Sequence, residues 1–306
     1  MSLSITKRSL LRALSLFAFS AVLAGCGADE SIAPDSVAPT PKRALIVSSN
    51  VGKMTAPGFE RDTGVWFAEV THPYWALHDS KEVPFTIDLA SPDGGAVPID
   101  AFSIKLNLDD YLKSGGKVYD SGDPDNERFL SELADRISST EAPGTDANGQ
   151  PVTVTHHAIT GTLALADVRA EDYDVVYYAG GNGASWQFPV DAETQRVAAE
   201  MYAAGKLVTA ACHGTSALLN VEEGTDYLVK QRKVTGFSTA EEEALGQKDV
   251  MPLLLQDEFL KRGALYTAEP PWSDHVIVDG RLITGQNPPS ARSVGKAIIS
   301  YFTPKP

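Results

Sequence analysis

The chain has 306 residues, 43% of them hydrophobic, so it is long and apolar enough for one large α/β domain or two smaller domains. Its formal net charge at pH 7 is −14, and an acidic surface repels phosphate backbones and anionic lipid. Nucleic-acid-binding functions are therefore disfavoured, and no nucleic-acid partner is predicted.

The first residues have the pattern of a targeting segment. A basic start precedes an apolar run over residues 13–23 that is too short to span a membrane. The run ends in "LAGC", which resembles a bacterial lipoprotein signal in which Cys26 becomes the lipidated first residue of the mature chain. We therefore expect a signal peptide over residues 1–25 and a lipid-anchored protein of the bacterial cell envelope. Gly27, in place of the Asp of an inner-membrane retention signal, favours the periplasmic side of the outer membrane. The alternative is an ordinary secretory signal with a chance cysteine.

Residues 26–42 contain few apolar side chains and three prolines, so we expect a flexible tether before a domain over residues 43–306. The chain has two cysteines. With Cys26 lipidated, Cys212 has no disulfide partner. A lone thiol in an oxidising compartment is expected to be buried or functional.

From residue 44 onward, short apolar runs that predict strands alternate with stretches of helical spacing. The predicted strands are residues 44–49, 83–90, 174–181 and 207–211. The predicted helices are residues 63–80, interrupted by Pro73, residues 191–206, a stretch from about Thr215, and residues 290–302. Asp191 is expected to cap the second of these helices and Gly205 to end it. Residues 275–285 predict a hairpin that turns at Asp279 and Gly280.

Continuous apolar strands that alternate with helices indicate a mostly parallel central sheet covered on both faces, which is a three-layer α/β sandwich. Ligands bind such sheets beyond the carboxyl ends of the strands. Gly180, Gly181 and Cys212 lie at such ends. Residues 104–168 are polar and in places rich in Gly and Asp, so we expect a small insertion or cap there rather than core.

The stretch "VTAACHGTSALLN", residues 208–220, places Cys212 between a predicted strand and a predicted helix. A residue on such a sharp turn can present its side chain as a nucleophile. The N-terminus of the following helix would lower the pKa of the thiol, and His213 can act as a base or a positive partner. The alternative is a buried structural cysteine.

The segment "AACHGTSALL" is similar to the cysteine elbow of the ThiJ/PfpI superfamily, whose flavodoxin-like fold resembles that of class I glutamine amidotransferases. The segments "TGVWFAEVTHPY", "LASPDGGAVPID" and "YYAGGNG" resemble the family's first helix, its second strand with the following loop, and its glycine turn. The segments "VTGFSTAEEEALG" and "PPWSDHVIVDGRLITGQNPPSA", followed by the terminal helix, match the larger branch, which contains a heat-shock chaperone and glyoxalase III enzymes.

The resemblance implies which side chains form the site. Cys212 corresponds to the nucleophile, His213 to the adjacent base, and Glu69 to a glutamate that approaches the sulfur. If Glu69 is buried, its pKa would rise and it could donate a proton toward the sulfur. An acidic residue follows "TGF" in this branch; Glu242 aligns best, with Glu241 and Glu243 as rivals.

The glycine turn, Gly181, Asn182 and Gly183, is expected to face the cysteine and to bind substrate. Backbone N–H groups near Gly181 and His213 would form an oxyanion hole. Asn182 stands where the family often has His, which puts activity or specificity in question, although an amide can still donate a hydrogen bond. Trp186, Phe188 and Trp272 are candidates for the pocket rim, with packing as the alternative.

These residues favour a cysteine-dependent enzyme that acts on small reactive carbonyls without a cofactor. The resemblance implies a glutathione-independent, glyoxalase III-like reaction from methylglyoxal or glyoxal to a 2-hydroxy acid, or a deglycase-like one. The alternatives are a stress-linked holdase chaperone and a cysteine peptidase or amidase. Glutamine amidotransferases use His-x-Glu, whereas His275 precedes Val276 and Ile277, which argues against that activity.

No metal site is predicted. His156 and His157 are adjacent, and adjacent residues of a strand point to opposite faces, so they do not form a chelating pair. A small carbonyl substrate is the expected partner, the membrane is contacted only through the lipid anchor, and a homodimer is left open.

Overall fold

The computed structural model describes residues 40–106, 113–114, 122–145 and 150–304. The predicted signal peptide, Cys26 and the tether up to residue 39 lie outside these residues. No helix within the described ranges is both long enough and apolar enough to cross a bilayer.

The described part of the chain alternates between strands and helices, as the sequence predicts. The strands are β1 (Lys42–Val47), β2 (Lys53–Ala56), β3 (Phe59–Asp62), β4 (Phe85–Ser91), β5 (Asp93–Pro98), β6 (Ile137–Thr145), β7 (Pro151–Ala164), β8 (Val175–Tyr178), β9 (Leu207–Ala211), β10 (Glu222–Glu223), β11 (Asp226–Tyr227), β12 (Lys233–Val234), β13 (Leu265–Tyr266), β14 (Val276–Asp279) and β15 (Leu282–Gly285). The α-helices are α1 (Ala68–His78), α2 (Ala101–Lys105), α3 (Pro124–Glu132), α4 (Gly183–Gln187), α5 (Ala192–Ala203), α6 (Thr239–Ala244), α7 (Leu255–Lys261) and α8 (Ala291–Phe302).

Nine of these strands form the central sheet, in the order β14-β15-β9-β8-β1-β4-β7-β5, with β6 also paired to β7. The run from β15 to β7 is parallel throughout, whereas β14, β5 and β6 are antiparallel to their neighbours. The register of the middle strand places Val47 of β1 opposite Ala90 of β4 and Tyr178 of β8. The prediction of a mostly parallel sheet is confirmed.

Side chains of the central strands alternate between two apolar cores, one on each face of the sheet. In β1, Leu45 and Val47 belong to one core, and Ala44 and Ile46 belong to the other. Because successive strand residues point to opposite faces, both faces are covered, as in a three-layer sandwich. The first core also receives buried residues of α5, and the second receives those of α1 and α8.

Two local predictions are confirmed. The side chain of Asp191 accepts a hydrogen bond from the Thr194 N–H at 2.6 Å and so caps α5. The hairpin of β14 and β15 is present, with Asp279 paired to Leu282, so its two-residue loop is Gly280-Arg281, one residue beyond the predicted turn. Gly280 has a φ of 61°, which a tight hairpin turn favours.

Two helix predictions need correction. The predicted helix 63–80 begins only at Ala68, because Val65 forms a strand-like bridge to Ile99, although Pro73 is accommodated within α1. The stretch predicted as a helix from about Thr215 belongs to a 3-10 turn, Cys212–Leu218. The Thr215 hydroxyl donates to the Cys212 carbonyl at 2.8 Å, and such side-chain bonds to the backbone compete with regular α-helical pairing.

Much of the predicted cap, residues 104–168, is joined to the sheet. The antiparallel pair β6 and β7 extends it, and β7 also pairs with β4 and β5. Phe129 and Ile159 from this segment are buried in one of the two cores. The expectation that the segment stands apart from the core does not hold for these residues.

Candidate active site

Cys212 follows directly on the buried strand β9 and begins the 3-10 turn. Its φ is 54°, a left-handed conformation that an L-residue other than Gly adopts at a cost of about 1–2 kcal/mol. Strained backbone of this kind is found at functional sites more often than elsewhere. The side chain is buried, yet Cys212 lines a cavity, so its sulfur lies at the boundary between core and solvent.

His213 connects the sulfur to an acidic residue. Its Nδ1 lies 3.4 Å from Cys212 Sγ, and its Nε2 lies 2.8 Å from Glu242 Oε1. Because the carboxylate accepts a hydrogen bond from Nε2–H, Nδ1 is left with a lone pair toward the thiol. The imidazole ring also stacks on Phe237, with ring centroids 4.3 Å apart, so its orientation is held from both sides.

The three consecutive glutamates differ completely in their surroundings. Glu241 closes a capping box with Ser238 at the start of α6 and has a structural role. Glu243 is exposed and forms an ion pair with Lys248. Of the three, Glu242 has its carboxylate in contact with His213, at 2.8 Å, and its catalytic role stays a prediction. The Ser-x-x-Glu spacing of Ser238 and Glu241 is a capping signature that sequence reasoning missed.

Glu69 is buried at the other side of the sulfur. Its Oε2 accepts a hydrogen bond from the Gly180 N–H at 2.9 Å, and its Oε1 has no hydrogen-bond partner among the described residues. Burial raises the pKa of Glu69 to about 8, although hydrogen bonds with Cys212 and Gly180 oppose the rise. At neutral pH this carboxyl is therefore protonated and can donate its proton toward Cys212 Sγ.

The prediction that a following helix lowers the pKa of the thiol is wrong. Burial raises the pKa of Cys212, and the negative charge of Glu69 raises it further. The residues after Cys212 form a 3-10 turn without the aligned N-terminus of an α-helix. The backbone N–H groups of His213 and Gly181 donate to the sulfur and partly oppose the rise. Once Glu69 is protonated, its charge no longer opposes ionisation of the thiol.

The glycine turn lets the backbone approach this cluster closely. A Cβ on Gly180 would lie 2.6 Å from Glu69 Oε2 and 2.8 Å from Cys212 Cβ. Gly181 has a φ of 99° and lines the cavity, whereas Gly183 packs against Val51. A side chain at Gly180 would therefore push Glu69 and Cys212 apart.

Asn182 also lines the cavity, as predicted for a substrate contact, but its amide already has a partner. Its Nδ2 donates to Met54 Sδ at 3.2 Å, and Arg61 donates to the same sulfur at 3.0 Å. A thioether is a weak acceptor, so this bond holds the Asn182 side chain against β2 with little energy.

The cavity beside the sulfur has a volume of about 590 Å³. Its walls come from segments far apart in the sequence, and they are largely apolar and aromatic. Besides the residues above, they include Trp66, Phe102, His156, Leu245, Gln247 and Trp272. Of the three predicted rim residues, Trp272 lines the cavity and Trp186 does not. Phe188 is fully buried and packs against Tyr178.

The two adjacent histidines have different surroundings. His156 lines the cavity, whereas His157 Nδ1 is 2.8 Å from the Ser139 hydroxyl. In the described ranges, no group of three or more His, Cys, Asp or Glu side chains is arranged to hold a metal ion.

Comparison with known proteins gives the family. The model of the DJ-1/PfpI family matches residues 135–301, which is more than half of the chain. The chain belongs to the DJ-1/PfpI family. The matched residues include its cysteine elbow and glycine turn.

Curated relatives match most of this DJ-1/PfpI chain. Glutathione-independent glyoxalase HSP31 of Saccharomyces cerevisiae is 36% identical over 239 residues, which is 76% of this chain and 86% of the relative. Glyoxalase 3 of Candida albicans is 27% identical over 249 residues, which is 79% of this chain and 91% of the relative. The crystal structure of glyoxalase III from Candida albicans superposes with a TM-score of 0.65 at 25% identity and covers 85% of this chain and 97% of that one.

These comparisons correct the predicted location. The curated relatives named above are yeast glyoxalases, and nothing in the comparisons points to a bacterial envelope lipoprotein. The prediction of a lipid-anchored envelope protein is therefore wrong. It rested on residues 1–26, which lie outside the described part of the chain.

Proposed function

We propose that this chain is a glutathione-independent glyoxalase, which converts a 2-oxoaldehyde such as methylglyoxal and water to a 2-hydroxy acid. The observation that carries the proposal is the buried cluster at the cavity floor. It combines a thiol, a histidine held by a carboxylate, and a carboxyl group that is protonated at neutral pH. The names of the relatives, glutathione-independent glyoxalase and glyoxalase 3, support the same reaction.

The first step forms a covalent bond between the enzyme and the aldehyde carbon. His213 Nδ1 takes the thiol proton of Cys212, from which it lies 3.4 Å away, and the sulfur attacks C1. Glu69 gives its proton to the aldehyde oxygen, so a neutral hemithioacetal forms. The enzyme then holds a protonated His213 and an ionised Glu69, whose charges together sum to zero.

The second step moves hydrogen from C1 to C2. The Glu69 carboxylate takes the C1 proton, while protonated His213 gives its proton to the C2 oxygen, and an enediol forms. His213 then takes the C1 hydroxyl proton as Glu69 delivers a proton to C2. The product of this step is a thioester with a hydroxyl at C2, so C1 is oxidised and C2 is reduced within one molecule.

Hydrolysis completes the cycle. Water attacks the thioester and gives a proton to Glu69, and the departing sulfur takes its proton from His213. The enzyme returns to its starting state, so no external reductant, oxidant or glutathione is consumed. The backbone N–H groups of Gly181 and His213, which donate to the sulfur, stabilise the negative charge whenever the sulfur carries it.

The proposal is tested with purified protein, methylglyoxal and no glutathione. We expect methylglyoxal to disappear and lactate to form in equal amounts, and we expect prior alkylation of Cys212 with iodoacetamide to stop both. A preparation in which Cys212 titrates as a free thiol but no lactate forms would overturn the proposal. The holdase hypothesis stays a separate prediction, and it requires suppression of client aggregation that survives the alkylation.

A further inference from the structure

Gln247 is one of several polar cavity residues that the mechanism above does not use. It lines the same cavity as Cys212, and it is only 6% exposed. Its Oε1 is buried without a hydrogen-bond partner, and no side-chain hydrogen bond joins its amide to any residue that the structure describes. Buried amides are almost always hydrogen-bonded, so an unpartnered amide in a cavity wall calls for a ligand.

The backbone holds Gln247 firmly in this position. Its N–H donates to the Glu242 carbonyl at 2.9 Å, and its own carbonyl accepts from the N–H groups of Val250 and Met251. The same short segment therefore carries the carboxylate that orients His213 and the amide in the cavity wall. A movement that displaced one would displace the other.

The amide predicted to contact the substrate is engaged elsewhere. Asn182 Nδ2 donates to Met54 Sδ, whereas Gln247 Nε2 makes no hydrogen bond with the residues that the structure describes. A 2-oxoaldehyde carries a second oxygen at C2, which gains negative charge as the enediol forms. The sulfur, Glu69 and the backbone N–H groups near it act at C1. In the mechanism above His213 serves the C2 oxygen, and a second donor at that oxygen would fix the orientation of the dicarbonyl.

We propose that Gln247 is a positioning residue for the substrate, and that its side-chain amide donates a hydrogen bond to the C2 oxygen of a bound 2-oxoaldehyde. This inference rests on the proposed glyoxalase function for its substrate class. A neutral amide suits a neutral dicarbonyl, because it stabilises the developing charge without trapping the anionic product as an Arg or Lys would. The Nε2 donor gains its acceptor when the substrate binds, and the buried Oε1 takes no part in this contact.

The test compares two aldehydes that differ in the second oxygen. Methylglyoxal has it and propanal lacks it. Each aldehyde protects Cys212 from alkylation by iodoacetamide when it forms a hemithioacetal, so the concentration dependence of protection gives its affinity without requiring turnover. In Gln247→Met we expect methylglyoxal to bind about 5- to 10-fold more weakly, as loss of one hydrogen bond predicts, and propanal to bind unchanged.

Turnover gives the second measurement. Because the hydrogen bond strengthens as charge develops at C2, kcat/KM of Gln247→Met for methylglyoxal should fall about 10- to 100-fold, with kcat lowered as well as KM raised. The inference would be overturned if Gln247→Met bound each aldehyde as tightly as the unaltered protein does. It would also be overturned if the variant lost affinity for methylglyoxal and for propanal by the same factor. Absence of lactate formation by the unaltered protein would instead overturn the proposed function.

Gln286 supplies a matched control. It is also a buried glutamine, but both polar atoms of its amide are hydrogen-bonded, since Oε1 accepts from the Glu269 N–H at 2.8 Å and Nε2 donates to the Glu269 carbonyl at 3.1 Å. Gln286→Met should lower the melting temperature and leave discrimination between the aldehydes unchanged. Gln247→Met removes no hydrogen bond of the folded protein, so its melting temperature should stay the same or rise. If the melting temperature of Gln247→Met fell as much as that of Gln286→Met, this would also count against the inference.

Discussion

Two neighbouring carboxylates of α6, Glu241 and Glu242, are both buried, but they belong to opposite kinds of polar cluster. Glu241 accepts hydrogen bonds at both oxygens, from the backbone and hydroxyl of Ser238 and from Trp272 and Asn287. Each donor comes from a loop or a helix end. This cluster is saturated, and it ties the start of α6 to the segment before α8.

The cluster around Cys212 is incomplete by comparison. Glu242 uses only Oε1, on His213, and its Oε2 has no partner in the part of the chain that the structure describes. Glu69 likewise leaves Oε1 without a partner. A saturated network stabilises a fold, whereas an unsaturated one costs stability and keeps groups available for proton transfer. The difference predicts which substitutions will affect activity and which will affect stability.

The largest effect on activity is expected at the sulfur. Cys212→Ala should lower glyoxalase turnover by at least about 10³-fold, because Cys212 is the only thiol among the described residues and it forms the hemithioacetal. The fold should remain, since Ala keeps the Cβ at this position. Lactate formation and circular dichroism measure the two properties. Residual turnover above one per cent would remove Cys212 from the role of nucleophile.

Glu69→Gln should lower kcat by about 10²- to 10⁴-fold, the range typical of a lost general acid or base. Unlike Cys212→Ala, it should leave alkylation of the thiol by iodoacetamide possible. Its free energy of unfolding should be equal to that of the unaltered protein or higher at alkaline pH. An active Glu69→Gln enzyme would place the proton transfer elsewhere, with His213 as the remaining candidate.

The pH dependence of stability follows from the same carboxyl. The folded protein keeps the Glu69 proton up to about pH 8, whereas the unfolded chain loses it near the ordinary value of 4.5. The unfolded chain therefore binds fewer protons in this window, and the contribution of Glu69 to the free energy of unfolding falls as pH rises through it. The difference between Glu69→Gln and the unaltered protein should thus grow from about pH 5 to about pH 8. A constant difference would show an ordinary, solvated carboxylate.

Glu242→Gln should lower kcat/KM by about 10²-fold, because an amide can donate to His213 Nε2 and so favour the tautomer with a proton on Nδ1. That tautomer cannot take the thiol proton. Stability should change little, since the carboxylate has a single protein partner. Unchanged kinetics would show that His213 keeps its tautomer without Glu242.

Glu241→Gln should have the smallest effect on activity and a clear effect on stability. The amide nitrogen would face donors at an oxygen site, which should lower the free energy of unfolding by about 1–3 kcal/mol. Urea denaturation measures this change. At urea concentrations below the unfolding transition, kcat/KM should stay within a few-fold of that of the unaltered protein. Glu243→Gln is the control for both neighbours, since an exposed ion pair contributes about 0–1 kcal/mol. A kinetic defect in Glu241→Gln as large as that in Glu242→Gln would erase the distinction between the two clusters.

The sequence predicts the sheet and the elbow well, because both depend on local pattern. Apolar runs identify the parallel strands, and the strand-Cys-His-Gly order identifies the turn at Cys212. The burial of Glu69 could be anticipated from its apolar neighbours. Each of these signals lies within about ten residues of chain. Over such a length the hydrophobic periodicity and the side-chain types determine the local structure.

The remaining features depend on contacts between distant segments. Gln247 and His156 meet Cys212 at one cavity although the strands between them are far apart in the chain. No periodicity marks such residues. The 3-10 turn after Cys212 depends on the Thr215 hydroxyl, a bond that propensity does not predict. The choice of Glu242, in contrast, was available from the sequence once the capping box of Glu241 was recognised.

The shortness of α6 has a consequence for heat inactivation. A helix of six residues is not stable in isolation, so the position of Glu242 depends on the anchoring of Glu241 to Trp272 and Asn287. Local opening of this segment costs less than global unfolding, and it would separate Glu242 from His213 and Gln247 from the cavity together. Amide hydrogen exchange in α6 should therefore report the fraction of active molecules, and turnover should fail several degrees before the sheet melts.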